Sequence, residues 1–217
     1  MIAGKADHVA KRHFAGKVVV VTGAASGIGM AAAERFIQAG AACALLDLDA
    51  ERLRDCERRL NSHGGRAIGL KCDVASRTDC EAAIGSVLER FGGVDVLFNN
   101  AGITQRSAFV DTRIAVYERV MAVNFFGALY CTKAAIDSLI SRRGLIIVNE
   151  SIAGLAPLLG RTGYAASKHA MHGLFTSLRS EVKPHGVHVM VVCPGFVQTR
   201  LQERALGGDG AATDHPQ

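Results

Sequence analysis

Along the chain, short unbroken runs of apolar, largely β-branched residues alternate with longer stretches in which apolar positions recur every three or four residues. The runs at 18–21, 42–47, 67–72, 94–99, 145–148 and 187–192 read as strands, because a continuous apolar run of that length suits a strand covered on both faces. Helical patterns fill 28–39, 50–63, 77–91, 124–141 and 164–183, the last closed by Pro184 and Gly186. Strand then helix, repeated, predicts βαβ units with right-handed crossovers. The fold class is therefore α/β, a doubly wound parallel sheet in the order 3-2-1-4-5-6, with ligands expected at the carboxyl ends of the strands. No internal repeat and no linker divides the chain, so residues 14–201 are expected to form one domain. A polar extension, 1–13, precedes it, and a polar, glycine-containing tail, 202–217, is expected to be loose.

The first strand runs directly into Thr22-Gly23-Ala24-Ala25-Ser26-Gly27-Ile28-Gly29, a glycine loop that opens a helix. Such a loop lets backbone amides approach a pyrophosphate at a helix start. The spacing is GxxxGxG, so the common GxGxxG pattern is not met, but the strand-loop-helix context of a dinucleotide site is. Asp47 ends the second strand, where a carboxylate can accept from the adenosine ribose hydroxyls and would repel a 2′-phosphate. Leu48 and Ser26 offer no neutralising cation nearby, so NAD is favoured over NADP. A plain solvent-facing strand end is the alternative for Asp47.

The net charge of +5 comes from basic residues interleaved with acids, as in residues 51–59. That pattern reads as a solvated helix face, with no nucleic-acid partner and no membrane partner expected. At 49% apolar and 21% charged, the 217 residues suit a single packed core. Six cysteines lie far apart without a CxxC pair, which fits reduced thiols, and no metal site is expected. The first thirteen residues lack the apolar core of a signal peptide, and no eighteen apolar residues run together. A cytoplasmic protein is the expectation.

Tyr164 and Lys168 stand one helical turn apart, thirteen residues beyond Ser151. Positions i and i+4 share a helix face, and a fixed ammonium beside a phenol is expected to lower its pKa toward neutrality. The pair is a candidate acid/base only in company with other groups, since an exposed YxxxK is usually a solvated pair.

That company is present. TGAASGIG, Asp73 in Cys72-Asp73-Val74, Asn99-Asn100-Ala101-Gly102, Asn124 in Asn124-Phe125-Phe126-Gly127, Ser151, YAASK and Pro194-Gly195-Phe196-Val197-Gln198-Thr199 occur in order between residue 17 and about residue 200. With these motifs the chain resembles the short-chain dehydrogenase/reductase family, whose fold is Rossmann-like. The resemblance implies that Gly23, Ser26, Gly27, Ile28, Gly29 and Asp47 hold the cofactor, that Asp73 and Val74 contact its adenine, and that Asn100, Ala101 and Gly102 lie along it. It also implies that Pro194, Gly195 and Thr199 border the nicotinamide, and that Tyr164 and Lys168 touch its ribose. The implied catalytic group is Asn124, Ser151, Tyr164 and Lys168, with Asn124 supporting a water that leads protons from Lys168 to solvent.

The implied activity is reversible hydride transfer between a nicotinamide cofactor and a secondary alcohol or ketone. Tyr164 would move the proton and Ser151 would hold the substrate oxygen. Residues 155–159 with Phe196, Val197 and Leu201 suggest an apolar substrate pocket, or ordinary loop packing. A lipid, a steroid or a 3-oxoacyl thioester would each fit. Two departures stand out. Glu150 occupies a position where the family often has a small or apolar residue, and strand alternation points it away from the reacting centre. After the Pro-Gly motif only a short tail remains where relatives have a lid, a helix and a seventh strand, so either the chain is truncated or its sheet ends at strand six. That departure leaves a dinucleotide-binding protein with little turnover as the alternative function. The resemblance also implies a homodimer through the helices beginning near Asn124 and Tyr164.

Overall fold

The structure, a computed structural model, describes residues 14–62, 64–195, 197, 201 and 204–213. The predicted extension 1–13, His63 at the predicted end of the second helix, and Phe196, Gln198 and Thr199 lie outside the described residues.

Six parallel strands form one sheet in the order β3-β2-β1-β4-β5-β6, where β1 is Val18–Thr22, β2 Ala42–Asp47, β3 Arg66–Lys71, β4 Val96–Asn99, β5 Leu145–Asn149 and β6 His188–Val192. The helices are α1 (Gly27–Gln38), α2 (Ala50–Ser62), α3 (Arg77–Phe91), α4 (Ile114–Met121), α5 (Gly127–Arg142) and α6 (Thr162–Val182). Side-chain alternation along the strands divides the core into two layers. Val18, Val20, Ala44 and Leu46 face a layer with Ile84, Val87, Cys131, Leu139, Met171 and Phe175 from α3, α5 and α6. Val19, Val21, Cys43 and Leu45 face the other, with Met30 and Ala33 of α1 and Leu53 and Leu60 of α2. Both faces of the central strands are thus covered, which explains why β1 and β2 read as unbroken apolar runs. The strand order places the crevice between β1 and β4, where the winding reverses, at the carboxyl ends.

The sequence reading missed α4 and started the next helix at Asn124. The backbone instead runs on from Ile114 to Arg142, with a π-helical turn at Ala122–Phe126 inserted between α4 and α5. A π turn absorbs one extra residue without breaking the helix, so the apolar period slips and the two halves no longer share one 3.6-residue pattern. By length and composition this 29-residue stretch could cross a membrane. Here Val116, Val120, Val123, Cys131, Ala135 and Leu139 along it are buried in the core.

The tail departs from its expectation. Its described residues, 204–213, are tied down by main-chain bonds: Leu206 N donates to Thr104 O at 2.9 Å, Arg106 N to Leu206 O at 2.8 Å and Arg113 N to Gly208 O at 2.9 Å. Ala205 is buried under them. Composition alone could not reveal that the loop after β4 offers this segment a matching edge.

Candidate active site

The glycine loop is shaped by two close approaches. Gly23 has φ +64°, and a Cβ there would meet the Ala101 Cα at 2.9 Å. A Cβ on Gly29 would lie 2.3 Å from Gly23 O and 2.5 Å from Asn100 Nδ2. The loop is therefore packed directly on the turn after β4, and Asn100 stitches them together. Its Nδ2 donates to Thr22 O at 2.9 Å and Gly23 O at 3.2 Å, and its Oδ1 accepts from Asn149 Nδ2 at 2.9 Å. Thr22 Oγ1 accepts from both Asn100 N and Ala101 N at 2.9 Å.

Beside this packing opens a cavity of about 260 Å³, lined by Gly23, Ser26, Gly27, Ile28, Asp47, Asp73, Val74, Asn100, Ala101 and Gly102. The predicted cofactor residues of the first half of the chain thus meet at one place, except Gly29, which lies behind the loop. The amino end of α1 points its unpaired amides here, with no side-chain cap from Ser26 and no acidic residue in its first turn. An uncapped helix start of this kind fits a pyrophosphate. Asp47 accepts from Ala25 N at 2.9 Å and from Asp49 N at 3.1 Å, so the same carboxylate that faces the cavity also fixes the glycine loop. Asp73 similarly accepts from Ala75 N at 3.0 Å.

A second cavity, of about 100 Å³, shares Ile28, Asn100, Gly102, Asn149 and Leu201 with the first and holds Ser151, Tyr164, Lys168, Pro194 and Gly195. Ser151 ends the extended stretch after β5 and accepts from Ala153 N at 3.2 Å, which starts a short 3-10 turn at Ile152–Gly154. Tyr164 and Lys168 come from the first turns of α6 and are both buried. Lys168 Nζ donates to Asn149 O at 2.8 Å and lies 5.6 Å from the centre of the Tyr164 ring. Pro194 O accepts from Ile152 N at 3.2 Å, which locks the Pro-Gly segment to the serine turn.

Asn124 sits behind this cavity, fully buried in the π turn. Its Oδ1 accepts from Ile103 N at 2.8 Å, and its Nδ2 donates to Ile103 O at 3.0 Å and to Ser167 Oγ at 2.9 Å. Both amide protons are spent on brackets between the β4 loop and α6. Of its side chain only the second Oδ1 lone pair is left for a water.

The electrostatics differ from the sequence expectation. Burial pushes the Tyr164 phenol above its usual range, against the hydrogen bond from Ser151 and the charge of Arg161, which both pull it down. Burial likewise pulls the Lys168 ammonium down to about 8, opposed by Glu150 and Cys193. The ammonium is aimed at a carbonyl and the ring face, so desolvation outweighs its attraction for a phenolate.

Four contributors were invisible to motif reading. Gln105, wholly buried, accepts from Gly163 N at 3.1 Å and from Tyr164 N at 3.4 Å, capping α6 from a distant loop. Arg161, also buried, donates to Thr104 Oγ1 at 2.7 Å beside the tyrosine. Arg119 and Arg204 line the larger cavity, and Arg119 lies 3.7 Å from Asp73. None belongs to a local pattern, so only the fold brings them in.

Comparison with known proteins agrees with this fold. The short chain dehydrogenase family profile matches residues 17–207. Dehydrogenase/reductase SDR family member 7B of Bos taurus is 41% identical over 203 residues, 89% of this chain and 62% of that protein. The Xenopus laevis protein of the same name is 39% identical, again covering 89% and 62%. This chain therefore spans about 62% of the length of these relatives. Among solved structures, a short chain dehydrogenase/reductase from Burkholderia phymatum in complex with NAD superposes with a TM-score of 0.84 at 32% identity, covering 87% of this chain and 69% of that one. The chain belongs to the short-chain dehydrogenase/reductase family.

Proposed function

We propose that this chain is an NAD-dependent oxidoreductase that interconverts a secondary alcohol and a ketone. The convergence of Ser151, Tyr164 and Lys168 in a cavity that opens into the dinucleotide cavity carries this reading. A nicotinamide nucleotide held by the α1 amino end, Asp47, Asp73 and Gly102 supplies the hydride chemistry. The protein's part is orientation and proton control. A phenol kept protonated by burial is ready to give its proton to a carbonyl oxygen, and Ser151, which lines the same cavity, holds that same oxygen as charge develops on it. Arg161, whose charge pulls the phenol down, makes loss of its proton tolerable; Lys168 ties α6 to the end of β5, and Asn124 fixes the loop and helix that carry them.

Asp47 favours NAD, because a 2′-phosphate beside its carboxylate meets like charge. The competing NADP reading draws on Arg204, which lines the same cavity. An apolar substrate is supported by Ile152, Leu158, Val197 and Leu201, which line the smaller cavity. A homodimer through the outer faces of α5 and α6, in a reducing cytoplasmic setting, completes the proposal. The test is a panel of hydrophobic ketones and secondary alcohols followed by NADH and NADPH absorbance. Turnover with NADH ahead of NADPH supports the reading. Tight NADH binding without turnover across the panel favours the alternative of a dinucleotide-binding protein.

A further inference from the structure

Two cationic side chains line the larger cavity among the described residues, Arg119 of α4 and Arg204 in the segment after β6. Arg119 is engaged, its Nη2 lying 3.7 Å from Asp73 Oδ2. Arg204 is exposed and makes no ion pair among the described residues.

The backbone nevertheless holds Arg204 in place. The next residue, Ala205, is buried, and its carbonyl accepts from Thr213 N at 2.9 Å. Leu206 then bridges to Gln105, its N donating to Thr104 O at 2.9 Å and its O accepting from Arg106 N at 2.8 Å. Three positions before Arg204, Leu201 lines both cavities, as Ile28 of α1 does. Three residues of extended chain span at most about 11 Å, so Arg204 stands on the wall of the larger cavity near its junction with the smaller one. Ser26, Gly27 and Ile28, the amino end of α1, border the same cavity.

Charge balance gives this cation a use. The α1 amino end supplies the equivalent of roughly +0.5, whereas a dinucleotide pyrophosphate carries a negative charge on each phosphate. Asp47 and Asp73 add their own negative charge to the walls, and Arg119 offsets only Asp73. Without Arg204, the described walls and a bound dinucleotide together are left strongly negative.

We propose that Arg204 binds the pyrophosphate of the nicotinamide dinucleotide together with the amino end of α1. The proposal rests on the oxidoreductase reading above for its ligand. A 2′-phosphate is the other phosphate such a cofactor can carry, but it belongs at the ribose beside Asp47, where like charge opposes it. A guanidinium presents a planar fork of donors that matches phosphate oxygens, whereas an ammonium meets them only as a point charge.

The test is the affinity of NADH and NADPH for the wild-type protein, Arg204→Gln and Arg204→Lys, by calorimetric titration at ~50 mM and ~300 mM salt. Arg204→Gln is expected to weaken both nucleotides about tenfold at the lower salt, because a charge-assisted hydrogen bond to phosphate is lost. The gap should narrow at the higher salt, where an exposed charge pair is screened, and Arg204→Lys should recover part of the affinity. An equal loss at both salts without rescue by lysine marks a disturbed loop and overturns the proposal. A loss confined to NADPH also overturns it, by assigning the guanidinium to the 2′-phosphate. Failure of the wild-type protein to bind either nucleotide sinks the oxidoreductase reading and the proposal together, whereas tight wild-type binding untouched in Arg204→Gln sinks the Arg204 proposal alone.

Discussion

Lys168 Nζ donates to the main-chain oxygen of Asn149 at 2.8 Å, tying the first turns of α6 to the end of β5. One hydrogen bond thus sets the distance between the helix that brings Tyr164 and the strand end that brings Ser151. The ammonium making it is buried, and burial of a cation is unfavourable to the fold.

Replacing Lys168 by Met is expected to abolish turnover while raising stability at pH 7 by about 1 kcal/mol, because a desolvated charge is removed. The sign of the pH dependence follows from the lowered ammonium. Its folded pKa of about 8 lies below the ordinary lysine value, so the unfolded chain binds more protons between the two and wild-type stability gains as pH rises through that window. The advantage of Lys168→Met should shrink above pH ~8. Urea unfolding of both proteins at pH 7 and pH 9.5 checks it; a variant less stable at both would contradict the burial argument.

Asp95 anchors the opposite ends of the strands, accepting from Val18 N at 3.0 Å, Lys17 Nζ at 2.9 Å and Arg142 Nη1 at 3.0 Å. Burial pushes its carboxyl up, but Lys17, the Val18 amide and Arg142 together hold it below the usual range. Its contribution is then present above the unfolded carboxylate pKa near 3.9 and is lost as pH falls through that value toward the folded one. Asp95→Asn should cost about 2 kcal/mol at pH 7 and flatten the stability profile below pH ~4. Equal acid sensitivity in the two proteins would refute this.

Gly29→Ala puts a methyl group 2.3 Å from Gly23 O and close to Asn100 Nδ2. Backbone occupies that space, so the loop must shift, at a cost of about 1–3 kcal/mol in stability. NADH affinity should fall with it, and calorimetric titration against a denaturation curve would reveal either effect.

The alternation of apolar runs with helical periods pointed to the parallel sheet and to its order 3-2-1-4-5-6, which the structure has, because unbroken apolar runs suit strands buried on two faces. The local motifs around Gly23, Asn100, Ser151 and Tyr164 identified the residues that meet in the two cavities. What stayed hidden was non-local. Gln105 caps α6 across 58 positions, Leu206 completes the loop around Gln105, and the π turn at Asn124 erases the periodicity that would have revealed α4. The effect of Lys168 on Tyr164 was misjudged for a related reason: i,i+4 spacing predicts neighbours, while burial and the Asn149 carbonyl decide where the ammonium points.

Asp47→Ala should weaken NAD binding about tenfold and narrow its margin over NADP, since it removes charge-assisted hydrogen bonds to the ribose and the repulsion of a phosphate. The loop will loosen too, as Ala25 N loses its acceptor. The ratio of the two affinities isolates the ribose role, because a loosened loop lowers both; an unchanged ratio would exclude it.

Whether the buried Tyr164 phenol moves the substrate proton beside a bound nicotinamide nucleotide is decided by Tyr164→Phe and a ketone that the wild type turns over, with NADH oxidation and NADH affinity measured on the same preparation. Turnover should fall by about 10² to 10⁴ while NADH affinity stays within about twofold. Undiminished turnover in this variant would show that another group moves the proton.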